Sequence, residues 1–339
     1  MNETQPETVR PATIYDVARA ASVSHQTVSR FLKGFEGIRP ETRLRVIAAL
    51  EELGYRPNLN ARSLTTGRSH RIGALTHDLS QVGPSKILEG ATDAARDAGY
   101  LLDVMTLDVR DPAHINESID LMMQRDLAGI LALASTDEVA QAFASTVFPM
   151  PVWIETDHDE IGPIPESSIG YDEILRHLAD LGHKHVLHIA GPIGWIAARN
   201  RIREYEKATK RLGMTSHGVI HGDWSARSGH AAVMSLPDPI EVTAIVATND
   251  QSALGAILAL TERGYRVPED VSVTGVDDVP EAAFYRPPLT TLRLDFASQG
   301  RGAVEQLLAR IEGRVPPAPP PHDSTLLVRQ SSGPAPVRR

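Results

Sequence analysis

The chain of 339 residues contains no cysteine. That excludes disulfides and thiolate metal sites and fits a reducing compartment. No run of 18 apolar residues occurs, so no segment is expected to cross a membrane. The opening MNETQPETVRPAT carries acids and no apolar stretch. It does not read as a secretory signal, and the expected location is cytoplasmic. Catalytic signatures are missing too: no G-x-S-x-G follows a strand, and there is neither a P-loop nor a Rossmann glycine fingerprint. The carboxylates show no paired arrangement for general acid and base. The expectation is a protein that is not an enzyme and uses no cofactor. Thirteen histidines invite a metal reading, but the spacing of His183, His185 and His188 fits no tight zinc pattern, and no metal is expected.

What is present begins with enough apolar material, 42% of residues, for sizeable cores, and 23% charged residues, as in a soluble globular protein. The length suggests two or three domains. A net charge of -9 hides an asymmetry. Residues 1–68 hold ten Lys and Arg against seven Asp and Glu, a net of +3, which leaves -12 for the remainder. A basic head on an acidic body fits a nucleic-acid module joined to something else.

After about 12 residues expected to be disordered, three short helices are predicted up to Gly54. Thr13 followed by Asp16 resembles a capping box opening residues 14–21. Ser24 is a plausible cap for residues 25–32. Pro40 starts a third helix with Leu44, Ile47, Leu50 and Leu53 on one face, and Gly54 ends it. From Arg71 on, strands (71–76, 100–107, 129–134, 186–190, 242–247, 271–276, 325–328) alternate with helices (85–98, 115–125, 171–181, 197–212, 253–263). That alternation argues for parallel sheets covered by helices on both faces, in two lobes. The proline-rich stretch 316–321 reads as a stiff surface loop.

An Ala-rich helix, a short turn and a second helix exposing polar residues form the arrangement of a helix-turn-helix. Small Ala18 and Ala21 allow close approach, and Val23 and Val28 plug the angle between the helices. His25, Gln26, Ser29 and Arg30 are left on the outer face. Gln suits adenine, Arg suits guanine, and His or Ser suits a base edge or phosphate. Ser24 and Thr27 are better placed for phosphates. Residues 13–54 on their own leave room for a plain three-helix interaction domain; the segment Tyr55-Arg-Pro-Asn58 that follows, with Ala61 and Leu64 after it, argues against that.

The run from Thr13 through Leu64, with Gly222-Asp-Trp-Ser225, Ala247-Thr-Asn-Asp-Gln251, Gly275-Val-Asp-Asp278 and Pro287-Pro-Leu-Thr-Thr291, resembles the lactose-repressor family of bacterial regulators, from Thr13 to about Arg329. The resemblance implies that His25, Gln26 and Arg30 face the major groove. It also implies a hinge helix at Asn58 that forms on operator DNA, with Ala61 packing on its symmetry mate and Leu64 wedging into the central base step. The body would be a two-lobed core like that of periplasmic sugar-binding proteins. Arg201, Asn249 and Asp277 would hold sugar hydroxyls, with Trp224 as an apolar wall. Leu79 and Ile87 would form the opposite wall, and Phe296 would line the cleft near the lobe crossover. Leu294 stands where the resemblance implies a polar amide, and the first-lobe carboxylate falls on either Glu155 or Asp157. Asp250 and Asp278 read better as loop caps than as ligand contacts. Trp224 as core and Arg201 as a surface arginine are the plainer alternatives.

The expected organisation is a disordered N-terminus (1–12), a helix-turn-helix domain (13–57) and a hinge and linker (58–68). A first lobe (69–165 plus 294–329), a second lobe (166–293) and a disordered tail (330–339) follow. The fold class is α/β, a two-lobed periplasmic-binding-protein-like core of parallel sheets with an all-α head. The expected partners are a palindromic double-stranded operator, a second copy of the chain and a small sugar, a β-galactoside first. With no leucine heptad after Arg329, a dimer is expected rather than a tetramer. The alternative is a regulator that needs a purine or other metabolite as corepressor.

Overall fold

The computed structural model describes residues 10, 12–32, 35–55, 69–134, 136–154, 170–318 and 324–337. They form two compact units that divide after His70.

The head unit is three helices, α1 (Ile14–Ala20), α2 (His25–Leu32) and α3 (Pro40–Glu52). The capping box at Thr13 is formed: the Thr13 amide donates to Asp16 Oδ2 at 2.9 Å, and the Asp16 amide donates to Thr13 Oγ1 at 3.4 Å. These bonds from Thr13 hold the Asp16 carboxyl below its usual range. Ser24 caps α2 by accepting from the Thr27 amide at 3.2 Å. Val17, Ala18, Ala21, Val28, Val46 and Ala49 are the buried core, with Val23 and Leu50 packed against it. Leu44 was expected on the inner face of α3 but is 67% exposed. The seam runs instead through Val46 and Ala49, because the small Ala49 lets α3 approach α1 along that face.

The second unit holds two sheets. The first runs β2 (Leu101–Thr106), β1 (Arg71–Thr76), β3 (Gly129–Ala132), β4 (Val152–Ile154), all parallel. Helices α4 (Val82–Asp97), α5 (Pro112–Met123), α6 (Asp137–Ser145) and α11 (Phe296–Ile311) belong with it. The second sheet comprises β5 (His185–Ala190), β6 (Thr215–His221), β7 (Ala244–Ala247), β8 (Ser272–Val276), β9 (Thr290–Leu294) and β10 (Ser324–Leu327), in the order β10-β9-β8-β7-β5-β6. Only the β9–β10 pair is antiparallel. Helices α7 (Tyr171–Asp180), α8 (Ile196–Arg211), α9 (Ala226–Met234) and α10 (Asp250–Glu262) cover it. Glycine sets two helix contacts: a Cβ on Gly90 would overlap the Ala297 backbone, and one on Gly255 the Ala226 carbonyl. So α4 meets α11, and α10 meets α9, backbone to backbone.

Two expectations are corrected. Strand β10 pairs with β9 in the second sheet, so residues 324–327 belong to the second lobe, not the first. The tail from 330 to 337 is not free. Ser331 is fully buried; its hydroxyl donates to the Val273 carbonyl at 2.6 Å, and its own carbonyl accepts from the Val273 amide at 2.8 Å. Gly333 and Ala335 bond to Ser272 and Leu181. A Ser- and Pro-rich segment carries little apolar surface, so its docking rests on hydrogen bonds that the sequence pattern does not announce. Strand β6, helices α6 and α9, and strands β4 and β9 were also not anticipated; each is short or mixed in hydropathy.

Candidate operator-reading helix and effector cleft

In the head, Ser24, His25, Gln26 and Arg30 are exposed and Ser29 and Thr27 half-buried, while Val28 alone points fully inward. The face of α2 expected to read bases is therefore free. Tyr15, 62% exposed, packs its ring 5.2 Å from that of His25, and Arg30 lies over Phe35 at 5.7 Å. Sequence reasoning passed over Tyr15; an aromatic on the exposed side of a capping-box helix was the available signal. Asn58, Ala61 and Leu64 lie outside the described residues, as do Glu155 and Asp157.

In the core, α8 carries Arg201 into the interior, where it is 6% exposed. Its guanidinium donates to the Thr248 carbonyl, approaches Asp277 Oδ1 at 3.6 Å and lies 5.3 Å from the Trp224 ring centre. Asp277 follows β8 at φ +108°, a left-handed conformation that a non-glycine residue adopts at a cost. Burial pushes its carboxyl up to about 6 although Arg201 pulls the other way. Asn249, at the end of β7, caps α10: its Oδ1 accepts from the Ser252 amide and its Nδ2 donates to the Trp224 carbonyl, both at 2.9 Å. That bond holds Trp224 in its own left-handed turn at φ +69°. The Trp224 ring lies on Gly191, where a Cβ would sit 2.5 Å from it.

Arg201, Trp224, Asn249 and Asp277 are thus brought together. Phe296 is buried and packs against Gly83 at the start of α4; Ile87 is half-buried within the first lobe's core. Leu79 is set apart from this group, 40% exposed in a surface groove along α4 with Ser85, Leu88, Glu89, Thr92 and Asp93. Leu294 packs partly buried in the second lobe.

Several polar atoms here are buried without a hydrogen-bond partner: Asn200 Oδ1, Gln251 Oε1 and Asp277 Oδ1 in the second lobe, Thr76 Oγ1 and His77 Nδ1 in the first. Burial also pushes the His77 imidazole down to about 4, so the ring is neutral at physiological pH. Asp250 accepts from the Val279 amide at 2.8 Å and from Thr291 Oγ1 at 2.5 Å. Burial, reinforced by the neighbouring Asp277, pushes it up to about 8. Asp278 pairs with Arg293 and Arg329 at 2.6 and 2.7 Å. The histidines weighed as ligands have other partners: His183 contacts Thr243 and Ser272, His188 the Val246 carbonyl and His185 the His217 ring. His77, just past the end of β1, and Asn200 and Gln251, near helix starts, were missed because isolated polar residues carry no periodic signal.

A helix-turn-helix followed in the chain by a two-lobed core with a buried polar cluster defines a ligand-responsive, sequence-specific DNA-binding regulator. The lacI family of bacterial regulatory proteins matches residues 13–58, and a periplasmic binding protein-like domain matches residues 175–332. The lactose operon repressor of Escherichia coli (strain K12) is 34% identical over 311 residues, covering 90% of this chain and 86% of the repressor. The HTH-type transcriptional repressor PurR of Haemophilus influenzae (strain PittEE) is 32% identical, covering 88% and 91%. Among solved structures, the lac repressor dimer bound to operator and the anti-inducer ONPF superposes with a TM-score of 0.78 at 30% identity, covering 96% of this chain and 100% of that one. The chain belongs to the lacI family of transcriptional regulators. No described helix is long and apolar enough to cross a membrane.

Proposed function

We propose that this protein represses carbohydrate-utilisation genes in the cytoplasm, holding a palindromic operator as a homodimer until a sugar, a β-galactoside first, enters the cleft between its lobes. The cluster around Arg201 supports the sugar. A guanidinium, a carboxylate and an amide converge beside an indole, and Asn200 and Gln251, close in sequence to Arg201 and Asn249, bury acceptor atoms without a hydrogen-bond partner. Each such atom costs about 1–3 kcal/mol when left dry, and a ligand rich in hydroxyls supplies the missing donors. The aromatic wall suits the C–H face of a pyranose ring.

On DNA, Gln26 and Arg30 read base edges and Ser24 and Thr27 hold phosphates, with His25 and Ser29 beside them. Asn58, Ala61 and Leu64 serve as the hinge, with Leu64 as the wedge. Likeness to a repressor dimer on its operator supports two copies on a two-fold site.

The test selects operator DNA from random sequence at fixed salt and measures its affinity with and without galactosides, glucosides and purines. A palindromic site released by one sugar supports the reading. The similarity to PurR supports a second one, in which a purine strengthens DNA binding. Affinity that rises with a purine selects that reading, and a head that enriches no palindrome overturns both.

A further inference from the structure

The two lobes touch through a group of contacts next to the Arg201 cluster. Loop 192–195 follows β5 in the second lobe, and residues 136–137 open α6 in the first. Thr136 and Trp195 form an isolated antiparallel bridge, and the Asp137 amide donates to the Gly194 carbonyl at 3.2 Å. Arg199, one turn into α8, donates to both Asp137 carboxylate oxygens at 2.9 Å, while its Nη1 also holds the Ile193 carbonyl at 3.0 Å. A planar fork on a carboxylate is the geometry in which an exposed pair retains directional strength.

Trp195 stands inside this contact. Its ring meets His77 of the first lobe edge-on at 4.5 Å between centres, and Trp224 of the second at 6.2 Å and 81°. A backbone bridge and a bidentate ion pair thus join the same two short segments, and Trp195 extends the contact to His77 of the first lobe. Among the described residues the lobes are also tied by the chain where it passes from β9 into α11 and from α11 back to β10, and by Val82, which packs against the second lobe's core. Those passages leave the closure angle free to change, whereas the loop contacts exist at one angle only.

We propose that residues 192–199 and 136–137 form a latch that holds the lobes closed, with Trp195 as its pin. Because the pin abuts Trp224, a ring entering beside Trp224 displaces it and frees the latch, so occupancy of the cleft and lobe closure are joined at one side chain. The latch depends on protein contacts alone and stands whether or not the cleft takes a sugar.

The test uses the full chain without ligand. Hydrogen exchange is followed at the Asp137 amide, and acrylamide quenching reports the exposure of the tryptophans. Trp195→Ala removes the pin, and Asp137→Ala removes the ion pair while sparing the aromatic contacts. Arg266→Ala, which breaks an exposed pair with Asp270 on the far side of α10 from the latch residues in sequence, is the control. Both latch variants should exchange the backbone amide at position 137 at least tenfold faster, and Asp137→Ala should leave its tryptophans more readily quenched, with Arg266→Ala like the parent. Unchanged exchange at position 137 in both variants overturns the latch, as does an equal acceleration in Arg266→Ala. A sugar panel that binds nothing, with the exchange result intact, breaks the sugar reading and leaves the latch standing.

Discussion

The two lobes share an architecture and differ in what they bury. Both are sheets between helices, all parallel in the first lobe and parallel but for β10 in the second, and both join two helices through glycine. Among the described residues, the first lobe buries few polar side chains, Thr76, Ser118 and Thr136. The second buries Arg201, Asp250, Asn249, His183, His188 and a series of serines and threonines. Ionisable groups withdrawn from water need partners or must change protonation: Asp277 has Arg201 beside it, and burial pushes Asp250 up to about 8. One fold can therefore carry an apolar lobe and a polar one.

The sharpest break of this contrast is Arg201→Ala. It leaves Asp277 buried beside a raised Asp250 with no cation, and a broken buried pair costs about 3–5 kcal/mol. Urea unfolding should register that loss, and effector binding should vanish in titration calorimetry. In the apolar lobe, Phe296→Ala removes a buried ring against Gly83 at a cost of about 3 kcal/mol or slightly more. Because no charge is exposed, its urea midpoint should fall equally at pH 5.5 and pH 8.5. An unequal fall would remove the distinction between the lobes.

The smallest effect is the pH slope itself. A carboxyl raised to about 8 in the folded chain keeps its proton where the unfolded chain, near 3.8, has lost it. Over that window the folded state binds more protons, so stability is greatest at the acid end and falls as pH rises, by up to about 1.4 kcal/mol per unit for each such group. Asp250→Asn should flatten the decline between pH 5.5 and 8, as read from urea midpoints. A wild-type chain whose stability rises with pH over this range would contradict the protonated Asp250.

Much of this was legible before any coordinates. The head's three helices follow from signals within a few residues of each other: the Thr13–Asp16 box, Pro40 and Gly54. The strand and helix alternation likewise announced two lobes. In the second lobe, Arg201, Trp224, Asn249 and Asp277 were named and are gathered together. Leu79 stands apart because a short loop before α4 turns it to the surface. Trp195 and Asp137 were not named, since nothing in either segment signals a partner some 60 residues distant.

The sequence by itself determined the head's helices, their caps and the period of the core, because hydrogen bonds three or four residues apart and the alternation of apolar side chains act locally. Only the tertiary structure decided that β10 joins the second sheet, that Ser331 is buried under it and that Asp250 holds a proton. It alone set Trp195 between His77 and Trp224. Each of these depends on which distant groups exclude water from a given atom, and burial is a property of the folded chain and not of its neighbours in sequence.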